Sequence, residues 1–406
     1  MRISTVQAFN NGVNGLQRNY ANVTRTQEQI STGNRILTPA DDPVASVRLL
    51  QLEQQQTVLK QYNANLNAAQ NSLTQEESTL VAVENVLQRV RELTIRAGNG
   101  SLNQVDRQSI AAELAEREDE LLSLMNTRNA RGEYLFAGFQ GKTQPFVRQP
   151  DGSYAYTGDD GQRHVQIASS LELPISDSGR AIFGSGLNAA RLTVDNADGT
   201  ISGLLVQDEV SFGSFPDGGF SISFDAGDPL NYTLTPSDGS PAISGRLSEG
   251  KDTALTYQGV SFYVNGTPAP GSSYTVTGPD PAANMTDDPQ VRVNPLNVIA
   301  DLRQVLENST DGREIRDAVS LSIANLDASM DAVDQGRGQI GARMNVVSST
   351  LADNENVALV NQATQAELRE LDYPEALSRL SLQSMVLEAA QQSYVRIANL
   401  SLFNLL

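Results

Sequence analysis

Leucine recurs at an unbroken step of seven through Leu52, Leu59, Leu66, Leu73, Leu80 and Leu87, and neither Gly nor Pro interrupts the stretch between Pro43 and Gly98. A seven-residue apolar repeat paints one stripe along a helix, and that stripe is stable in water only where another helix covers it. At about 1.5 Å per residue such a helix extends roughly 80 Å, a length that only a bundle or rod accommodates. Three residues further on, Tyr62, Ala69, Val83 and Val90 supply a second seam, which Gln55 and Glu76 interrupt.

The same spacing recurs at both ends of the chain. Near the start it runs through Val6, Phe9, Val13, Leu16, Tyr20, Val23 and, after Gln27, Ile30. Towards the end it runs through Val319, Ile323, Leu326, Met330, Val333, Ile340, Met344, Val347 and Leu351, with Arg337 as the one misfit. The last helix, from Glu375 to about Asn404, carries Leu377, Leu380, Leu382, Val386, Leu387, Tyr394, Ile397 and Leu400 on more than one face. A helix that is apolar on several sides expects several neighbours. The long inner helices, Leu52 to Leu87 and Val319 to Leu351, are therefore expected to cover each other. Val6, Phe9, Val13, Leu16, Tyr20, Val23, Ile30, Leu380, Leu387, Tyr394, Ile397 and Leu400 are expected to meet other molecules.

Local signals punctuate these helices. Gly33 fits the left-handed position after a helix, and Asp42-Pro43 and Asn294-Pro295 each place a capping side chain before a proline suited to a first helical turn. Gly98-Asn99-Gly100 predicts a turn, and Ser101 with Gln104 has the spacing of a capping box. The helix that follows carries Ile110, Leu114, Leu121 and Leu124 on one face. Further breaks fall at Asp311-Gly312 and Asp372-Tyr373-Pro374.

Between Tyr134 and about Val293 the pattern becomes strand-like. Alternating runs at Phe220 to Phe224, Tyr232 to Leu234, Val260 to Val264 and Tyr274 to Val276 are separated by Asp-Gly, Asn-Gly and Pro-Gly signals, which read as hairpins. The segment 183–205 is too irregular to assign. The fold class is mainly α with an inserted β domain, built on long antiparallel helices and a coiled coil formed by both termini. Three parts follow: a terminal coiled coil of 1–40 and 372–406, a long-helix bundle of 41–138 and 292–371, and a β-rich surface insert of 139–291 with one or two subdomains.

Composition narrows the function. The chain has 406 residues, no Cys, one His and a net charge of -19. Disulfides, thiolate metal sites and thiol catalysis are excluded. Neither nucleic acid nor membrane is an expected partner, because an acidic chain offers no basic patch and no apolar run approaches a membrane span. The N-terminus lacks the pattern of a cleaved secretory signal. No residue pattern calls for a cofactor or metal. Asp41 and Asp42 read as caps and turn formers, Gly336, Gly338 and Gly341 as close helix packing or a hinge, and His164 as a solvated strand end. Asp159 with Asp160, or Asp208 with Glu209, would suit a hydrolytic or carbohydrate-binding module on a helical stalk only if two carboxylates met in one pocket.

Four stretches carry a resemblance. Ile30-Ser31-Thr32-Gly33-Asn34-Arg35-Ile36 with Thr38-Pro39-Ala40-Asp41-Asp42-Pro43-Val44-Ala45 resembles the N-terminal signature of the bacterial flagellin superfamily, in the form of its hook-associated branch. Gly132 to Gly138 with Thr143-Gln144-Pro145-Phe146, Gly338 to Asn345, and the ending Ile397 to Leu406 agree with it. Together they resemble the hook-associated protein type 3 family over residues 1–146 and 292–406.

That resemblance implies a flagellin-like fold and a non-enzymatic adaptor role at the hook–filament junction. It implies passage through a type III export channel to an extracellular location without a cleaved signal. The partners it implies are copies of the chain in a ring, a neighbouring hook-associated protein on the hook side, flagellin on the filament side, and an export chaperone at the C-terminal helices. Flagellin itself, a filament subunit, is the alternative within the same class. Arg89, Arg91 and Glu92 resemble a flagellin stretch that packs between subunits.

Overall fold

The computed structural model describes residues 2–196, 198–279 and 291–403, with side chains in the two terminal helices described for residue 7 and from 9 to 396. Eight helices and twelve strands follow in order among them. The first helices are α1 (Arg2–Thr32), α2 (Pro43–Ala97) and α3 (Gln104–Met125). Then come β1 (Phe146–Arg148), β2 (Tyr154–Tyr156), β3 (His164–Ala168), β4 (Leu171–Pro174), α4 (Gly179–Phe183), β5 (Thr193–Val194), β6 (Ile201–Val206) and α5 (Glu209–Phe212). The remaining strands are β7 (Phe220–Phe224), β8 (Asn231–Pro236), β9 (Ile243–Arg246), β10 (Thr253–Tyr257), β11 (Val260–Val264) and β12 (Ser273–Thr277). The chain returns to helix in α6 (Pro295–Asn308), α7 (Gly312–Arg369) and α8 (Tyr373–Phe403).

By contacts the chain forms two compact units, one of residues 1–65 and 348–406 and one of residues 66–347. Both α2 and α7 contribute residues to each.

In the first unit α1 packs along α8. Gly33 ends α1 at φ +71°, and its amide donates to the Gln29 carbonyl at 2.8 Å, so the turn needs the left-handed conformation that glycine adopts without strain.

In the second unit the leucine seam is a true core. Leu66, Leu73, Leu80, Leu87, Leu326, Val333, Ile340 and Val347 are fully buried. Arg91 meets Asp327 and Arg337 meets Glu77 and Glu84, which fixes α2 and α7 as antiparallel neighbours. Helix α3 lies against α6, which sequence reasoning did not anticipate. Its anchor is Glu118, buried at 2 % exposure, which accepts from Arg303 at 3.0 Å and from the Tyr154 hydroxyl at 2.6 Å.

The capping box of α3 is one correction to the sequence expectation. The pair is Asn103 and Asp106, not Ser101 and Gln104. Ser101 is occupied by Asn99, to which both its amide and its hydroxyl donate. A carboxylate in the first turn also suits the positive end of the helix dipole better than an amide does.

The strands between α3 and α6 form two larger sheets and two hairpins. β5-β12-β7-β8-β9 and β10-β11-β6 are antiparallel throughout, as are the pairs β1-β2 and β3-β4. Alternation directs Phe220, Ile222 and Phe224 of β7 and Val260, Phe262 and Val264 of β11 into one shared core. The irregular segment 183–205 holds β5 and most of β6, short strands whose glycine and asparagine neighbours mask the period. Asp252 receives Arg313 at 2.8 Å and Arg316 at 2.9 Å, and these bonds fasten the β10–β11 sheet to the start of α7.

Candidate assembly surface

The residues of the N-terminal signature build a connector within the first unit. The Arg35 amide donates to the Arg369 carbonyl at 2.8 Å and the Leu371 amide to the Gly33 carbonyl at 3.0 Å, so Asn34 and Glu370 form a short antiparallel bridge. The Arg35 guanidinium adds a bond to the Leu368 carbonyl at 3.1 Å. Asp41 accepts the amides of Leu37 and Thr38 at 2.9 and 3.0 Å and pairs with Arg25, while Asp42 caps α2 through the Ala45 amide at 2.9 Å. Both aspartates act as the caps and turn formers their sequence suggests.

Helices α1 and α8 meet through one face each. The rings of Phe9 and Tyr394 lie 5.3 Å apart, and the Thr26 hydroxyl donates to Gln383 at 2.7 Å. Leu380, Leu387 and Tyr394, spaced by seven, are half-buried, as are Val13, Leu16, Val23 and Ile30 on α1. Phe9 and Tyr20 remain exposed. The side chains of Val6, Ile397 and Leu400 lie outside the described residues, and so does the end of the Ile397 to Leu406 stretch.

Among the described residues, the apolar remainder of this unit has no cover within it. Leu382 and Met385 are 62 % and 65 % exposed, and with Val386 they fall on the side of α8 opposite Leu380 and Leu387 at about 100° per residue. Of the twenty-four exposed large apolar side chains described, fifteen belong to this unit, among them Val44, Val47, Leu50, Leu359 and Val360. Among its described residues seven are buried, and of these only Ala45, Leu371 and Ala376 are apolar. The unit therefore presents a core surface without containing a core.

The seam between α2 and α7 changes character at the same place. Leu52, Leu59 and Leu351 lie in the first unit and are half-buried, whereas the leucines beyond them are fully covered. Amides replace the apolar pairs here: Asn354 donates to Asn63 at 2.8 Å, and Gln56, Asn361 and Gln365 bury amide atoms that make no hydrogen bond. Buried amides set register and weaken a seam.

In the second unit Val319, Leu66, Leu73, Leu80 and Leu87 are buried, and Ile323 is half-buried. Arg337, the misfit in the stripe of α7, donates to Glu77 at 3.0 Å and also pairs with Glu84 and Asp334, so it ties α7 to α2 instead of breaking the seam. Arg89 pairs with Glu113 of α3 at 2.6 Å and with Glu92 at 2.8 Å, and Arg91 pairs with Asp327 at 2.6 Å. Hydrogen bonds to these carboxylates raise the pKa of both guanidiniums. Gly336 rests against Ile182, but the positions a Cβ would take at Gly338 and Gly341 meet open space, and α7 runs through all three without a break. Among the described residues nothing packs closely on Gly338 or Gly341.

Of the four acids singled out in the β insert, Asp159 and Asp208 serve turns and Asp160 and Glu209 meet arginines. Asp159 accepts amides from Phe139, Gln140 and Gly161, bonds that hold its carboxyl below the usual range. Asp160 faces Arg180 at 3.4 Å. Asp208 caps α5, and Glu209 pairs with Arg191 at 2.5 Å. His164 opens β3, exposed, with Nδ1 2.9 Å from the Gln162 carbonyl.

Residues 3–141 match the family described as the bacterial flagellin N-terminal helical region. The chain is 33 % identical over 198 residues to flagellar hook-associated protein 3 of Salmonella typhimurium, an alignment covering 49 % of the chain and 62 % of that relative. It is 33 % identical to flagellar hook-associated protein 3 of Escherichia coli, covering 46 % of the chain and 57 % of that relative. The chain thus matches about three fifths of the length of these relatives. The crystal structure of hook-associated protein 3 from Legionella pneumophila shares the fold at a TM-score of 0.63 and 23 % identity, covering 78 % of the chain and 98 % of that structure.

Proposed function

We infer that this chain is a structural adaptor of the bacterial flagellum, placed at the junction between hook and filament. The observation that carries the reading is the first unit, whose helices expose fifteen large apolar side chains and enclose almost no apolar core. Burying a Val, Leu, Ile, Phe or Met side chain is worth about 1.5–3 kcal/mol, so such a surface favours association over solvation. Similarity to proteins named hook-associated protein 3 supports the junction rather than the filament as the place of association.

In this reading 1–40 with 372–406 is the terminal coiled coil, 41–138 with 292–371 the helix bundle, and 139–291 the outward insert. Phe9, Val13, Leu16, Tyr20, Val23, Ile30, Leu380, Leu387 and Tyr394, which keep part of their surface open beside the α1–α8 contact, meet copies of the chain in a ring together with the uncovered Leu382, Met385 and Val386. A hook-associated protein lies on one side and flagellin on the other. The chain reaches the outside unfolded, through type III export, and a chaperone covers the C-terminal helices beforehand. Its role is not catalytic.

Deletion of the gene tests this. An adaptor's loss leaves hooks intact while flagellin is secreted as monomer, whereas loss of a filament subunit leaves no flagellin to secrete. In electron micrographs an antibody against the chain should label only the distal end of the hook, and label along the filament overturns the reading.

A further inference from the structure

Within the second unit the seam of α2 is interrupted at Glu76, a carboxyl that stands where the spacing calls for an apolar side chain. It is 2 % exposed, and its Oε1 makes no hydrogen bond. Asp177, equally buried in the segment before α4, shares this interior. The Asp177 carboxylate takes both ends of the Arg343 guanidinium, at 2.7 and 3.0 Å, and the Gln162 amide at 2.6 Å. One arginine thus serves two buried carboxyls, and Asp177 holds it.

Beside Glu76 lies a cavity of about 20 Å³, lined also by Gln75, Asn129, Arg131, Arg163 and Ser176. The Nε of Arg163 makes no hydrogen bond either, since this side chain spends Nη1 on Glu133 at 2.8 Å. A space of that size, walled also by the apolar Leu135 and Ile175, holds about one water, enough to bridge an acceptor and a donor but not to solvate a charge. Glu118 is the contrast: equally buried, it faces Arg303 and Arg148 and accepts from Tyr154.

We propose that Glu76 is a proton-operated latch, which in its neutral form fastens segment 175–178 to α2 and α7 and in its ionised form lets that segment lift. The charged groups facing it are Asp177 ahead of α4, Arg343 on α7, Arg163 ahead of β3 and Arg131 after α3, while its neighbour Glu77 turns to Arg337. Burial pushes the Glu76 carboxyl up to about 8, with the Asp177 charge adding to the rise and the Arg343 charge opposing it. Released from the interior, the same group titrates near its ordinary 4.5. Between these values the closed form holds a proton that the open form has lost, so the latch weakens as pH rises through that window. It is strongest in mild acid and weakest above pH 8.

Hydrogen exchange on the full chain and on E76Q tests the proposal, because glutamine keeps the shape of the neutral acid. At pH 4.5 exchange across 172–183 should agree between the two within about threefold, and at pH 8.5 it should be slower in E76Q by at least about tenfold. Exchange in E76Q that is no slower at pH 8.5 overturns the latch. Infrared spectroscopy of the native chain decides the matter even if E76Q does not fold. A protonated carboxyl band present at pH 7 and gone by pH 9.5 is expected, and its absence at pH 7 overturns the proposal.

Discussion

Arg337 shows how a single residue can read as an error in a pattern and act as a fastening. Its charge breaks an apolar stripe, yet in the fold it reaches across to Glu77 and Glu84 on α2, each less than a third exposed. Replacing Arg337 with Ala leaves those carboxylates partly buried and unpaired, at an expected cost of about 1–3 kcal/mol. Thermal unfolding of the full chain followed by circular dichroism measures this, and an unchanged midpoint would remove Arg337 from the account of how α2 and α7 are held. Glu76 is the opposite case, a misfit with no cation of its own. The sequence marks both residues as interruptions but cannot say which has a partner, since that partner comes from elsewhere in the chain.

For the helices, boundaries were legible and coverage was not. Asp42-Pro43, Gly98 and Asn294-Pro295 mark ends that the fold places at Pro43, Ala97 and Pro295, because capping and proline sterics are local. The pairing of α3 with α6 depends on Glu118, Arg303 and Tyr154 converging from three distant places, which no local spacing encodes. The six leucines of the seven-residue repeat in α2 look equivalent in sequence, yet Leu73 is fully buried and Leu52 is half-buried. Leu73→Ala should therefore cost about 2–5 kcal/mol and Leu52→Ala about 1 kcal/mol or less in the isolated chain. Equal losses in chemical denaturation would contradict the division of the seam.

At the scale of the molecule, a unit rich in exposed apolar residues and poor in core should be ordered by association. Hydrogen exchange on the monomer is expected to be rapid at 1–35 and 375–406 and slow in the assembled state. Strong protection of both segments in the monomer would sink that expectation. Met385→Lys, on the face of α8 turned away from α1, should abolish concentration-dependent assembly in sedimentation while leaving the monomer's thermal midpoint within about 1 °C, because the side chain is already solvated. By itself the sequence determined the helices, their apolar stripes and the strand-and-turn character of the insert, since periodicity, caps and turn residues act over a few positions. Only the tertiary structure decided which lengths of those stripes are covered within the chain and which are left open. Coverage depends on what lies across the seam, and past Leu59 towards the chain ends α2 and α7 offer each other amides and half-covered leucines in place of a closed apolar core.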